Sequence, residues 1–202
     1  PDPNTAHPDT LVTLCGLFIY RGIARWVSSA AVGLNPGAPE EYRDRVGLFL
    51  ANCPEFLLAR WAAIRLGATA APMNIMFQAR EAQYVLNNAT PRVLVTESSQ
   101  LALIEQIWPE CPHLQHLVVT DAEIHGAQSF AALERDWAGH SVPTHDCAPD
   151  DVCDLYYTSG TTGRPKGVRR PLPPIDPDIA ATLLTGFFAM FGVKAEDGNV
   201  HL

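Results

Sequence analysis

From Arg45 to Trp137 short apolar runs alternate with segments of helical periodicity, and this alternation most restricts the fold. Arg45–Leu50, Thr69–Pro72, Arg92–Thr96 and Leu117–Thr120 are too short for helices and suit strands covered on both faces. Between them, Glu55–Leu66, Ala79–Asn88 and Leu101–Trp108 carry apolar residues at helical spacing, and Phe130–Trp137 reads as a further helix. The first helix has clear punctuation. Asn52 or Cys53 can cap it, Pro54 suits its first turn, Glu55 sits at the positive dipole end, and Gly67 ends it. Its buried face is expected to carry Phe56, Ala59, Ala63 and Leu66. Strands alternating with helices imply an α/β fold with a largely parallel sheet, flanking helices and right-handed crossovers.

Residues 138–153 lack periodicity and read as a connection, after which Asp154–Tyr157 is another strand. It delivers the densest cluster of special residues in the chain, Tyr157-Thr158-Ser159-Gly160-Thr161-Thr162-Gly163-Arg164-Pro165-Lys166-Gly167. Glycines let backbone N–H groups approach an anion, hydroxyls add rotatable donors, and Lys166 adds a compact positive charge. No acidic residue lies between Leu155 and Ile175, although the chain carries a net charge of −8. A loop at the C-terminal end of a strand, locally reversed in charge, points to a polyanion site. A flexible Gly/Thr surface loop would explain the glycines alone but not their agreement with position and charge. Beyond it, Ile179–Phe191 reads as an apolar helix closed by Gly192, and Ile23–Leu34 as a helix stopped by Asn35-Pro36-Gly37.

Two familiar glycine loops do not fit. The common NTPase loop needs Gly-Lys followed by Ser or Thr, whereas Pro165 precedes Lys166 and Gly167 follows it. A dinucleotide fingerprint needs a Gly-x-Gly pair, absent at Gly160 and Gly163. At every position from Thr158 to Gly167 the stretch resembles the phosphate-binding signature of the adenylate-forming (AMP-binding) superfamily, most of all its acyl-CoA synthetases. Val46–Phe56, Ala63–Ala68, Pro72-Met73-Asn74 and Asp150-Asp151 resemble weaker motifs of that family. Arg169-Arg170-Pro171-Leu172 is similar to the continuation in some fatty-acyl-CoA synthetases.

The resemblance implies that residues 41–202 are the N-terminal part of the large domain, with the phosphate loop at 157–167 and a poorly matched segment at 1–40. The chain begins with Pro1 and closes on the strand-like Asn199-Val200-His201-Leu202, so a fragment without the C-terminal domain is expected. The implied chemistry is ATP-dependent activation of a carboxylic acid, fatty acids first, followed by transfer to CoA. Thr158, Ser159, Gly160, Thr161, Thr162, Gly163 and Lys166 would hold the ATP phosphates, with Mg²⁺ assisting. Arg164 stands at the variable position of the signature. No catalytic residue of the family is expected within the fragment, which would be inactive alone. An aryl or amino acid substrate is the alternative within the family.

Outside it, Arg169–Pro174 resembles a proline-rich ligand for SH3 domains, which would make the chain a non-catalytic binding remnant. Cys111, His113 and His116, like His145, Cys147 and Cys153, lack the paired spacing of zinc sites, so no metal ligand is assigned. An isoelectric point near 5.2 argues against a nucleic-acid partner. Five cysteines at irregular spacing suggest a reducing, cytoplasmic compartment, at most peripheral to a membrane. The longest apolar run, Leu11–Tyr20, is too short to span a bilayer.

Overall fold

A computed structural model describes residues 44–137, 152–158 and 165–171, with isolated positions at 179, 183, 186 and 190. Strand β1 (Arg45–Phe49) leads into helix α1 (Pro54–Arg65), and β2 (Thr69–Pro72) into α2 (Ala79–Ala89). After β3 (Val93–Thr96) comes α3 (Leu101–Ile107), flanked by single 3₁₀ turns, and then β4 (His116–Val119). The two-residue β5 (Gln128–Ser129) precedes α4 (Phe130–Trp137), and β6 (Val152–Thr158) and β7 (Lys166–Pro171) follow. Expected and observed elements agree to within one or two residues from β1 to α4, with β5 added.

The seven strands form one sheet in the order β5-β4-β3-β1-β2-β6-β7. Every described pairing is parallel except that of β6 with β7. Helices α1 and α4 cover one face, where Ala59, Ala63, Leu66, Phe130 and Leu133 pack on Val46, Leu48, Ala70 and Val95. Helices α2 and α3 cover the other, where Val85, Leu86, Ile104 and Ile107 meet Phe49 and Leu94. Reversal of the winding direction after β2 places the helices on opposite faces, because each parallel crossover keeps the same hand. The expected inward face of α1 is confirmed at Ala59, Ala63 and Leu66, with Phe56 partly buried beside them.

Local chemistry accounts for the boundaries. Cys53 takes the extended cap conformation (φ −146°, ψ 166°) ahead of Pro54. At the far end Gly67 adopts φ 71°, its N–H reaches the Ile64 carbonyl at 2.9 Å, and the Ala68 N–H reaches Ala63 at 3.0 Å. These paired bonds satisfy carbonyls that α1 leaves open, in the manner of a Schellman cap. In β1, Gly47 admits a close neighbour. A Cβ there would lie 2.9 Å from Leu94 Cδ1 and 3.3 Å from Pro91 Cγ.

Two expectations change. No strand is expected directly after the glycine stretch, yet Lys166–Pro171 is an edge strand paired antiparallel with β6. Arg169, Arg170 and Pro171 of the SH3-ligand segment are therefore paired strand residues, not a free polyproline helix. A polyproline helix leaves its backbone to solvent, whereas here β6 supplies the pairing; Leu172, Pro173 and Pro174 lie outside the described residues. The helix at Ile23–Leu34 and most of 179–191 also lie outside them, as does the expected connection at 138–153 apart from Val152 and Cys153, which are strand residues of β6. Residues 172–202 form a separate unit, within which Ile179, Leu183 and Gly186 have helical backbone and exposed surfaces.

Candidate functional site

The hairpin β6–β7 holds the ends of the glycine stretch. Thr158 and Lys166 are Cα partners in the antiparallel register, followed inward by Tyr157 with Gly167 and Tyr156 with Val168. The two described members of the sequence-predicted site, Thr158 and Lys166, thus face each other across the neck of the loop, and both are exposed. Ser159, Gly160, Thr161, Thr162 and Gly163, with Arg164, lie outside the described residues. Pairing at the neck fixes where this seven-residue connection starts and ends. An exposed hydroxyl opposite an exposed ammonium is a donor set suited to phosphate oxygens.

Side-chain anchors grip β6 from both faces. On the α1 side, Arg60 donates from Nε to Asp154 Oδ1 at 2.8 Å and from a terminal nitrogen to Asp154 Oδ2 at 2.5 Å. Asp154 is 4% exposed, so this fork satisfies a carboxylate almost removed from water. The hydrogen bond to Asp154 raises the proton affinity of Arg60 against the opposing effect of burial. On the α2 side, the Tyr157 hydroxyl donates to Asn88 Oδ1 at 2.7 Å. Burial pushes the Tyr157 phenol up to about 12, with Arg45 opposing and Tyr84 reinforcing the rise. Gly167 lets β7 lie against this ring, since a Cβ there would meet Leu155 Cδ1 at 3.2 Å and the Tyr157 ring at 3.5 Å. Neither Arg60 nor Asn88 is conspicuous in sequence, because both act through residues far along the chain.

Beside the hairpin, a cavity of about 420 Å³ opens over the C-terminal ends of β1, β2 and β6, lined by Leu50, Asn52, Phe56, Met73, Tyr156 and Tyr157 among others. Open α/β sheets place ligands at this end of the strands. A slightly larger cavity of about 460 Å³ lies at the opposite edge, between α3 and β4–β5, lined in part by Trp108, His116 and Gln128. It contains none of the loop residues, so the smaller cavity is the better companion to a polyanion site. Among the described residues, no three His, Cys, Asp or Glu side chains gather as a metal would require. Burial raises the Cys53 and Cys111 thiols, which keeps them protonated and poorly nucleophilic.

Comparison with known proteins decides the family. The model for AMP-binding enzymes matches residues 5–171, including the hairpin and the stretch ahead of residue 40 for which the sequence alone offers no motif. The chain belongs to the AMP-binding enzyme family. Crotonobetaine/carnitine–CoA ligases of Escherichia fergusonii and Escherichia coli are similar at 33% identity over 129 residues, 62% of this chain and 25% of each relative. This AMP-binding chain therefore spans about a quarter of the length of the curated relatives it matches. An anthranilate CoA ligase solved with anthranoyl-AMP superposes with a TM-score of 0.69 at 27% identity, covering 77% of this chain and 29% of that one. A long-chain-fatty-acid-CoA ligase from Archaeoglobus fulgidus shares the fold, with a TM-score of 0.70 at 23% identity over 96% of this chain and 36% of its own. Among the described residues, no helix is long and apolar enough to cross a membrane.

Proposed function

We propose that the protein to which this chain belongs activates a carboxylic acid with ATP and passes the acyl group to CoA. The carrying observation is the gap-free glycine signature strung between the paired residues Thr158 and Lys166 at the C-terminal end of β6. In this reading a carboxylate oxygen attacks the α-phosphorus of ATP, the bond to the bridging oxygen breaks, and pyrophosphate leaves. The CoA thiol then attacks the acyl carbon of the acyl-adenylate and AMP departs. Nucleophile and triphosphate are both anionic, so the site's task is to offset charge and hold the leaving group in line.

Thr158, Ser159, Thr161 and Thr162 would offer hydroxyl and amide donors to the β- and γ-phosphates, and Gly160 and Gly163 would allow close approach. Lys166 would offset the charge of departing pyrophosphate. Mg²⁺ would be held chiefly by the ATP phosphates that Thr158 and Lys166 would face, and would supply further positive charge there. Residues 41–202 would form part of the large domain. The 202-residue polypeptide alone is expected to form no acyl-adenylate. For the acid, aliphatic substrates come first: fatty acids from the sequence resemblance, crotonobetaine-like acids from the relatives' names. Anthranilate-like aryl acids come second.

The test is ATP–pyrophosphate exchange by the full-length protein, driven in turn by fatty, short betaine-type, aryl and amino acids. Exchange with none would overturn the reading. Lys166→Ala is expected to slow exchange about a hundredfold, the scale of losing one preorganised donor. Unchanged exchange would remove Lys166 from the phosphate site.

A further inference from the structure

We infer that Arg60 and Asp154 form a positioning pair for the glycine hairpin, fixing the face and register of β6 and hence where Thr158 and Lys166 stand. Its functional consequence rests on the triphosphate reading above; the anchoring itself rests on geometry. Among the described residues, the register joining β6 to the parallel sheet is the pair Ala70 and Asp154. Among the described residues, β6 meets only β7 on its other side, and β7 is an edge strand. The hairpin is therefore hung on the sheet at Asp154. Immediately before it, the β6–β7 register is irregular between Val152 and Asp154. From Asp154 to Thr158 the β6–β7 pairing is regular, so the hairpin keeps its own register and its face and register against the rest of the sheet depend on how β6 is held at Asp154.

The side chain of Asp154 removes that freedom. Two hydrogen bonds from one planar guanidinium fix the position and plane of the carboxylate together. With Asp154 held toward α1, strand alternation sends Leu155 and Tyr157 to the other face. There Leu155 packs with Ala71 and Ala89, and Tyr157 bonds Asn88. A slip of one residue would push the carboxylate into the Leu155 cluster and present Leu155 to the guanidinium. Thr158 follows Asp154 by four residues, roughly 13 Å of strand. Arg60 also offsets the charge of the β6 carboxylate closest in sequence to the loop. Neither partner is described as touching the loop, so the role is positioning rather than catalysis.

A merely structural ion pair makes a different prediction. Buried pairs can be replaced by apolar residues of similar size without loss of stability, so a structural role should survive that exchange and a positioning role should not. In the full-length protein, the double variant Arg60→Met, Asp154→Leu would be compared with the parent in three ways. These are thermal midpoint, amide hydrogen exchange over 155–158 and 166–170 without ligand, and MgATP affinity. Expected are a midpoint close to the parent, hairpin exchange about tenfold faster, and MgATP bound about tenfold more weakly. KM for ATP should rise while KM for the acid stays put. Parental exchange together with parental MgATP affinity would overturn the inference. If the parent itself binds no MgATP, the triphosphate reading fails, and hairpin exchange still decides the anchoring. Should the double variant not fold, Arg60→Lys and Asp154→Asn weaken the fork individually and answer to the same measurements.

Discussion

Tyr157 connects the glycine loop to the body of the protein through one hydroxyl. Its phenol is half-buried, bonded to Asn88, and pushed up to about 12 from an ordinary value near 10, chiefly by desolvation of the phenolate. A raised folded pKa of an acid means that the fold prefers the neutral form. That contribution to stability is complete below the unfolded value near 10 and is lost as pH climbs from there toward about 12. Tyr157→Phe should remove a late step, near pH 12, from a spectroscopic tyrosine titration and flatten stability across that window. At neutral pH it should cost about 0.5–1.5 kcal/mol, the net value of one hydrogen bond. An unchanged titration would assign the late step to another tyrosine. His116 shifts the opposite way, lowered by burial and by the nearby Arg92. Its neutral form supports the fold fully above pH 6.5, and that support weakens as pH falls below this value.

Helix α1 and the hairpin differ in how their sequences declare them. Pro54, Glu55 and Gly67 act on their immediate neighbours, so both ends of α1 can be read from a dozen residues, and the Schellman bonds at Gly67 carry out what the glycine announces. Gly67→Ala forces a Cβ into φ 71° and should lower the unfolding free energy by about 1 kcal/mol in chemical denaturation. No loss would mean that the α1 terminus relaxes. Strands β1–β4 are equally legible, because burial on both faces demands unbroken apolar runs. β7 is not: Lys166-Gly167-Val168-Arg169-Arg170-Pro171 has little strand character, all six residues are exposed, and it is a strand because β6 pairs with it. β5, two residues long, is below the length at which periodicity exists. The glycine signature was readable because its chemistry is packed into consecutive residues. The Arg60–Asp154 fork was not, since its partners stand 94 positions apart and meet only when α1 packs beside β6.

At the scale of the whole molecule, strand order determines which crevice a ligand can use. Winding reverses between β1 and β3, where sheets of this kind often bind ligands. At the C-terminal ends of β1 and β3 the chain bonds to itself: Glu97 Oε2 accepts the Ala51 N–H at 2.9 Å, and its other oxygen accepts the Ser99 hydroxyl at 2.6 Å. A carboxylate placed there also repels anions. The glycine hairpin instead sits past β2, where β6 and β7 extend the sheet and bring Lys166, Arg169 and Arg170 with few acids nearby in sequence. Under the proposed function, folding and triphosphate binding are linked, because the loop neck exists only when β6 and β7 are paired. A ligand that binds the folded chain alone adds about 2.7 kcal/mol of stability at one hundred times its Kd. Because the described site offers donors for phosphate and no contact specific to a base, Mg²⁺-tripolyphosphate should stabilise this chain nearly as well as MgATP. Adenosine alone should not raise its melting temperature. If only adenosine-bearing ligands raise it, recognition lies in a base site elsewhere and the hairpin is not the principal anchor.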